Sequence, residues 1–100
     1  MRIDEDKREF DEAVEKIIEL GNRLLEDDHE SDSWEVASGL LAGAVHFWLY
    51  ARQPCSDLQC EACSEIDTAK KRLERLTEEI RQVAEDSDYF HAPHDVAGNA

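Results

Sequence analysis

The chain has 100 residues, with two prolines and four glycines, which is enough for one folded domain and too little for two. Acidic residues outnumber Lys and Arg by 25 to 11, so the formal net charge is −14. This charge argues against nucleic-acid binding, because contact with phosphates needs a basic surface, and against adhesion to an anionic membrane. We expect one helical domain over residues 1–86 and a flexible, acidic, His-containing tail over residues 87–100.

The first predicted helix spans residues 4–27. Its apolar residues recur every seven positions, which is the spacing of one helical stripe, while the opposite face is rich in glutamate. The stripe consists of Ile3, Phe10, Ile17 and Leu24. We therefore expect this helix to bury one side.

The second predicted helix spans residues 33–52 and is the most apolar part of the chain. Asp32 precedes it and Glu35 follows three positions later, which is the spacing of a capping box. Residues 36–51 carry no formally charged side chain, but the run is shorter than the roughly 20 apolar residues of a membrane span. This pattern predicts a core helix. The residues expected to be buried are Trp34, Leu41 and Trp48, packed against Phe10, Ile17, Leu24, Leu73 and Leu76.

The third predicted helix spans residues 57–86. Pro54 ends the preceding helix, and Ser56 with Gln59 has capping-box spacing. Its apolar residues alternate at spacings of four and three, the heptad pattern of helices that pack at a shallow angle. They are Ala62, Ile66, Ala69, Leu73, Leu76, Ile80 and Val83.

The short connections predict an all-α fold, an antiparallel up-down-up three-helix bundle. The second helix is apolar on more sides than two neighbouring helices cover. Gly39 and Gly43 form a GxxxG pair, at which another backbone can approach closely. Two interpretations follow: close packing against the first or third helix, or homodimerisation through this face, which would complete the bundle.

Three cysteines, Cys55, Cys60 and Cys63, form a C-x4-C-x2-C pattern. An odd number so closely spaced is not a disulfide framework. The charged first residues do not resemble a secretory signal, so we expect a cytoplasmic protein with reduced thiols. A structural zinc site needs a fourth ligand, and His46 is the leading candidate, because its predicted height on the second helix matches that of the cysteines.

Other interpretations of the cysteines remain open. Cys60 and Cys63 have the C-x-x-C spacing of a redox pair near a helix start. The full pattern also matches the spacing of the first three ligands in plant-type ferredoxins, but a fourth cysteine is absent and no strands are predicted. The interpretation that we expect is three reduced packing thiols without metal or cofactor, since cysteine is among the most buried residue types. If a metal is bound, His91 and His94 are the reserve ligands.

The sequence contains no recognisable nucleophile elbow, phosphate loop or pair of buried carboxylates, so we do not expect an enzyme. The expected function is a non-enzymatic helical module for protein–protein interaction or scaffolding. Its expected partners are a second copy of the chain and a basic protein, because a strongly acidic surface attracts basic partners. The alternative is a zinc-binding or thiol-redox protein that uses the cysteines.

Overall fold

The computed structural model describes residues 7–28, 30–57 and 59–95. The regular elements of these ranges are α1 (Arg8–Asp27), α2 (Ser33–Ala51), a 3-10 turn (Glu61–Cys63) and α3 (Ala69–Asp86). No strand occurs within these ranges, so the all-α prediction is confirmed for the part of the chain that they cover. The predicted helical residues 4–6 and the tail residues 96–100 lie outside the described residues.

The chain divides into two compact units, Met1–Trp48 and Leu49–Ala100, and the boundary falls inside α2. The first unit holds α1 and most of α2. The second holds the cysteine-containing connection, α3 and the described tail residues 87–95, which form turns. No helix in the described ranges is both long enough and apolar enough to cross a membrane.

In the first unit, α2 begins at a capping residue and contacts α1. Asp32 is the N-cap of α2, as predicted, because its Oδ1 accepts a hydrogen bond from the Trp34 amide at 2.9 Å. Its backbone carbonyl accepts the Val36 amide, also at 2.9 Å.

Gly21 of α1 lies so close to Leu40 of α2 that a Cβ at position 21 would be 3.0 Å from Leu40 Cδ1. The glycine therefore permits the contact between the two helices.

The predicted core is confirmed at Leu76 and is wrong for most of its other members. Among the described residues Leu76 alone counts as a buried hydrophobic side chain, with 8% of its surface exposed. Trp34, Leu41 and Leu73 keep 85%, 57% and 61% of theirs. The first-helix stripe is exposed as well, at Phe10, Ile17 and Leu24. The helices form, but three helices of one chain do not cover their apolar side chains.

The start of α3 is the second correction, because the helix begins at residue 69 and not at residue 57. Thr68 is its N-cap, and the Thr68 hydroxyl accepts the Lys71 amide at 3.1 Å. Ser56 opens no helix. Instead, Asp57 Oδ1 accepts the Gln59 amide at 2.9 Å and closes a local turn. Both Ser56 and Thr68 are of residue types that favour the N-cap position. The capping-box spacing at Ser56 was therefore not enough to show which of the two caps α3.

Candidate metal centre

The three cysteines come together in the connection between α2 and α3, residues 52–68. The Sγ atoms of Cys55, Cys60 and Cys63 all lie within 4.8 Å of one another. Two successive turns produce this grouping: the Asp57 carbonyl accepts the Cys60 amide at 3.1 Å, and the Cys60 carbonyl accepts the Cys63 amide at 3.3 Å. We call these three side chains the sulfur group.

Cys55 and Cys63 form a hydrogen-bonded pair within the sulfur group. The Cys63 thiol donates to Cys55 Sγ at 3.7 Å, and the Cys55 backbone amide donates to Cys63 Sγ at 3.4 Å. The Cys55 thiol in turn points to the Asp57 carbonyl oxygen at 3.9 Å. Sequence reasoning missed this pair, because C-x-x-C spacing directs attention to Cys60 and Cys63. The signal that was available is Asp57, a residue that favours turns between two cysteines.

Contacts within the sulfur group shift two pKa values in opposite directions. The pKa of Cys60 is lowered, first by its hydrogen bond with the Cys55 side chain and then by the backbone amides of Cys63 and Ala62. At Cys63, the Cys55 amide lowers the pKa, but the Cys55 and Cys60 side chains, desolvation and the charge of Cys55 together raise it above its ordinary value. Cys60 therefore loses its proton more readily than Cys63.

The sulfur group lines a hollow of about 240 Å³. The other lining residues are Pro54, Asp57, Asp67 and Thr68. The Asp67 carboxylate forms an ion pair with Lys71, with 3.1 Å between Oδ1 and Nζ. Cys55 is exposed, and Cys60 and Cys63 are half-buried, so an ion can reach the sulfurs from solvent.

The histidines named as possible ligands are not members of the sulfur group. His46 is exposed on α2, in the first unit. His91 and His94 lie in the turns after α3, where the rings of Phe90 and His91 pack edge to face with centroids 4.9 Å apart. Within the described ranges, the structure gathers the three cysteines without a histidine. His46 as the fourth ligand therefore stays a prediction.

The predicted interface glycines lie on an open part of α2. A Cβ at Gly39 or Gly43 would meet no atom within 4 Å beyond the neighbouring α2 backbone. In the first unit, the glycine that permits close contact between helices is Gly21 of α1. Close packing of Gly39 and Gly43 against α1 is therefore wrong for the described residues, and homodimerisation through this face stays a prediction.

A hollow of about 440 Å³ adds to the apolar surface of the first unit. Its lining is almost entirely aliphatic and comes from Ile17, Ile18, Gly21, Asn22 and Leu25 of α1 and from Ser33, Val36, Ala37, Leu40, Leu41 and Ala44 of α2. The contact between α1 and α2 thus leaves apolar side chains of both helices accessible.

No family model, curated protein or solved structure matches this chain. Proposals about its function therefore depend on the residues and contacts described above.

Proposed function

We propose that the chain is a small non-enzymatic helical module that works by protein–protein association, and that its first partner is a second copy of itself. The observation that carries this proposal is the exposure of large apolar side chains on all three helices, including Phe10, Trp34 and Leu73. Single exposed apolar residues are normal on protein surfaces. A series on every helix is typical of an interaction surface.

The energetic argument rests on the size of these side chains. Full burial of one Val, Leu, Ile, Phe or Met side chain contributes about 1.5–3 kcal/mol. Association costs about 4–15 kcal/mol in lost translational and rotational freedom. Burial of Phe47 and Tyr50, which are exposed and lie on the same side of α2 as Gly43, from both copies of the chain contributes toward offsetting the cost of forming a dimer.

We place the dimer interface on the α2 face that carries Gly39 and Gly43. The open space beside both glycines supports this choice, because two small residues one turn apart let a second backbone approach closely. In our proposal each copy is an up-down-up bundle, and the second copy completes the core.

The charge of the chain supports a second kind of partner, a basic protein. The net charge of −14 produces a long-range attraction for cationic surfaces that salt weakens. Glutamates on α1, such as Glu12, Glu15 and Glu19, are exposed and available for such contacts.

We propose that the protein works in the cytoplasm, where its thiols stay reduced.

The second candidate function, a metal-binding or thiol-redox protein, is favoured by the sulfur group. Three sulfur atoms within 4.8 Å of one another offer the donors that soft metal ions prefer. Both functions are compatible with one chain, because the sulfur group and the α2 glycines belong to different units.

Replacement of Gly43 by leucine tests the proposed dimer. Light scattering of the wild-type chain at high micromolar concentration is expected to give twice the chain mass of 11.4 kDa. Gly43→Leu should shift the mass toward that of one chain, because the new side chain keeps two α2 backbones apart. The matched control is Thr77→Leu, which adds the same side chain to an exposed position on α3. A dimer unchanged by Gly43→Leu would contradict the proposed interface.

A further inference from the structure

We infer that Cys55, Cys60 and Cys63 form a binding site for one soft divalent metal ion, with Zn²⁺ as the representative ligand. The three sulfur atoms act as thiolate ligands, and the bound ion organises the connection between α2 and α3. The fourth coordination position is filled from outside the sulfur group. This inference rests on the second candidate function and names its ligands and the class of its ion, whereas the proposed association requires no metal.

The spacing of the sulfurs fits a tetrahedral ion. A zinc–sulfur distance of about 2.3 Å in a tetrahedron places two ligand sulfurs about 3.8 Å apart. Cys55 Sγ and Cys63 Sγ are already 3.7 Å apart. The remaining sulfur–sulfur distances do not exceed 4.8 Å, so Cys60 needs a movement of only about 1 Å to complete the site.

The surroundings of the sulfurs suit thiolate ligands. The Cys55 amide donates to Cys63 Sγ at 3.4 Å, and hydrogen bonds to ligand atoms orient and stabilise metal ligands in proteins. In its described part, the lining of the hollow includes two carboxylates, Asp57 and Asp67, and no Lys or Arg. The Asp67 carboxylate is paired with Lys71 at 3.1 Å. Asp57 is therefore the carboxylate of this lining that favours the approach of a cation.

The connection itself is unusual for a purely structural loop. Residues 52–68 exceed the roughly 12–15 residues above which unstructured loops in compact domains are uncommon and usually functional. Among the described residues of this connection, regular structure is limited to the 3-10 turn Glu61–Cys63, and no side chain is fully buried. A structural metal supplies the stability that such a segment lacks in apolar contacts.

Exposure argues against the packing interpretation of the cysteines. Cysteines that serve only as packing residues are typically buried, because the thiol behaves as a small apolar group. Here Cys55 is exposed, and Cys60 and Cys63 are half-buried. Their sulfurs nevertheless lie within 4.8 Å of one another in the lining of one hollow, as ligands of a common ion do.

Cobalt titration of the full chain tests the site. The chain is purified without a histidine tag, reduced with a phosphine and titrated with Co²⁺ in the absence of oxygen. We expect a sulfur-to-cobalt charge-transfer band that saturates at one ion per chain and disappears when an equal amount of Zn²⁺ is added. Mg²⁺ at the same concentration should leave the band unchanged, because magnesium prefers oxygen ligands.

Serine variants identify the ligands. Each of Cys55→Ser, Cys60→Ser and Cys63→Ser should reduce the band and weaken Co²⁺ binding at least tenfold, whereas Ser56→Ala in the same connection should change neither. Zn²⁺ should also raise the melting temperature of the wild-type chain and not that of Cys63→Ser. Fully reduced protein without a charge-transfer band would overturn the proposal, as would an unchanged band in Cys63→Ser. A Cys55–Cys63 disulfide that persists in protein prepared with zinc and without oxygen would overturn it as well.

Discussion

The two compact units of this chain differ in what their exposed groups can bind. In Met1–Trp48, the accessible groups that stand out are apolar side chains of α1 and α2 and the open glycine face of α2. In Leu49–Ala100, α3 carries a buried leucine, and three sulfur atoms gather in the preceding connection. We therefore propose that the first unit binds an apolar surface of a partner and that the second binds a metal ion.

In our proposal, the two units therefore bind different classes of partner. Apolar surface is non-directional, so any complementary apolar face stabilises it roughly in proportion to the area buried. Metal binding by the sulfur group is directional, because only an ion of suitable size that prefers sulfur ligands can bind three thiolates at once. Variants in one unit should accordingly change association, and variants in the other should change metal binding or local stability.

The largest expected effect in the second unit comes from Leu76→Ala. Leu76 is the buried side chain of α3, and removal of a buried leucine side chain costs about 2–5 kcal/mol. The matched control is Leu73→Ala, one turn earlier on the same helix, where the side chain is exposed in the single chain. Both variants are measured at low concentration, at which the chain is a monomer. Urea unfolding followed by far-UV circular dichroism should show a much smaller loss for the control. Equal losses would contradict the burial difference between these two leucines.

A smaller effect is expected at the start of α3. Thr68→Ala removes the hydroxyl that accepts the Lys71 amide, and loss of such an N-cap costs about 0.5–2 kcal/mol. Ser56→Ala is the control, because Ser56 starts no helix in the structure. Thermal unfolding should separate the two variants. Greater destabilisation by Ser56→Ala would restore the earlier predicted helix start and contradict the observed one.

Gly43→Ala tests the first unit because its two expected effects are opposite. Helix propensity favours the folded single chain, whereas packing at the proposed interface weakens the dimer. In a single chain, the added methyl group meets open space, and alanine is about 1 kcal/mol more favourable than glycine within a helix. At a close contact between two α2 backbones, the same methyl group weakens association. We expect a larger dimer dissociation constant in sedimentation equilibrium. Unchanged or tighter association would place Gly43 outside the interface.

The smallest expected effect is a pH dependence on the exposed face of α3. The Arg81 guanidinium hydrogen-bonds to the Glu78 carboxylate and holds the pKa of Glu78 below its ordinary value of 4.5. Because the folded-state pKa is the lower one, this stabilisation is present above pH 4.5 and is lost as the pH falls through the folded-state pKa. Glu78→Gln should therefore reduce the difference in melting temperature between pH 7 and acidic pH, with Glu74→Gln as the control. A pH profile unchanged by Glu78→Gln would show that the pair does not contribute to stability.

The sequence was sufficient to predict α2 and the end of α3, and insufficient to predict the start of α3 and the burial of the apolar side chains. Apolar periodicity and the Asp32 cap predicted α2 to within one residue at its end, because both signals are local. The start of α3 was missed because the choice between Ser56 and Thr68 depends on the turns that gather the cysteines. Burial was overestimated at Trp34, because periodicity identifies which residues share a face and not what covers that face.

The sequence predicted which residues form the candidate site but not how their side chains contact one another. The C-x4-C-x2-C pattern named all three cysteines of the sulfur group, since close spacing in sequence limits their separation in space. The contact between Cys55 and Cys63 depends on backbone turns at Asp57 and Cys60, which the cysteine pattern does not encode.

The mass of the wild-type chain in solution tests the central claim most directly. The account predicts that light scattering at high micromolar concentration gives about twice 11.4 kDa and that dilution lowers the value toward one chain. The sample should be reduced and treated with a chelator, so that neither a disulfide nor a metal ion can link two chains. A mass of 11.4 kDa that stays constant over the whole concentration range would contradict self-association.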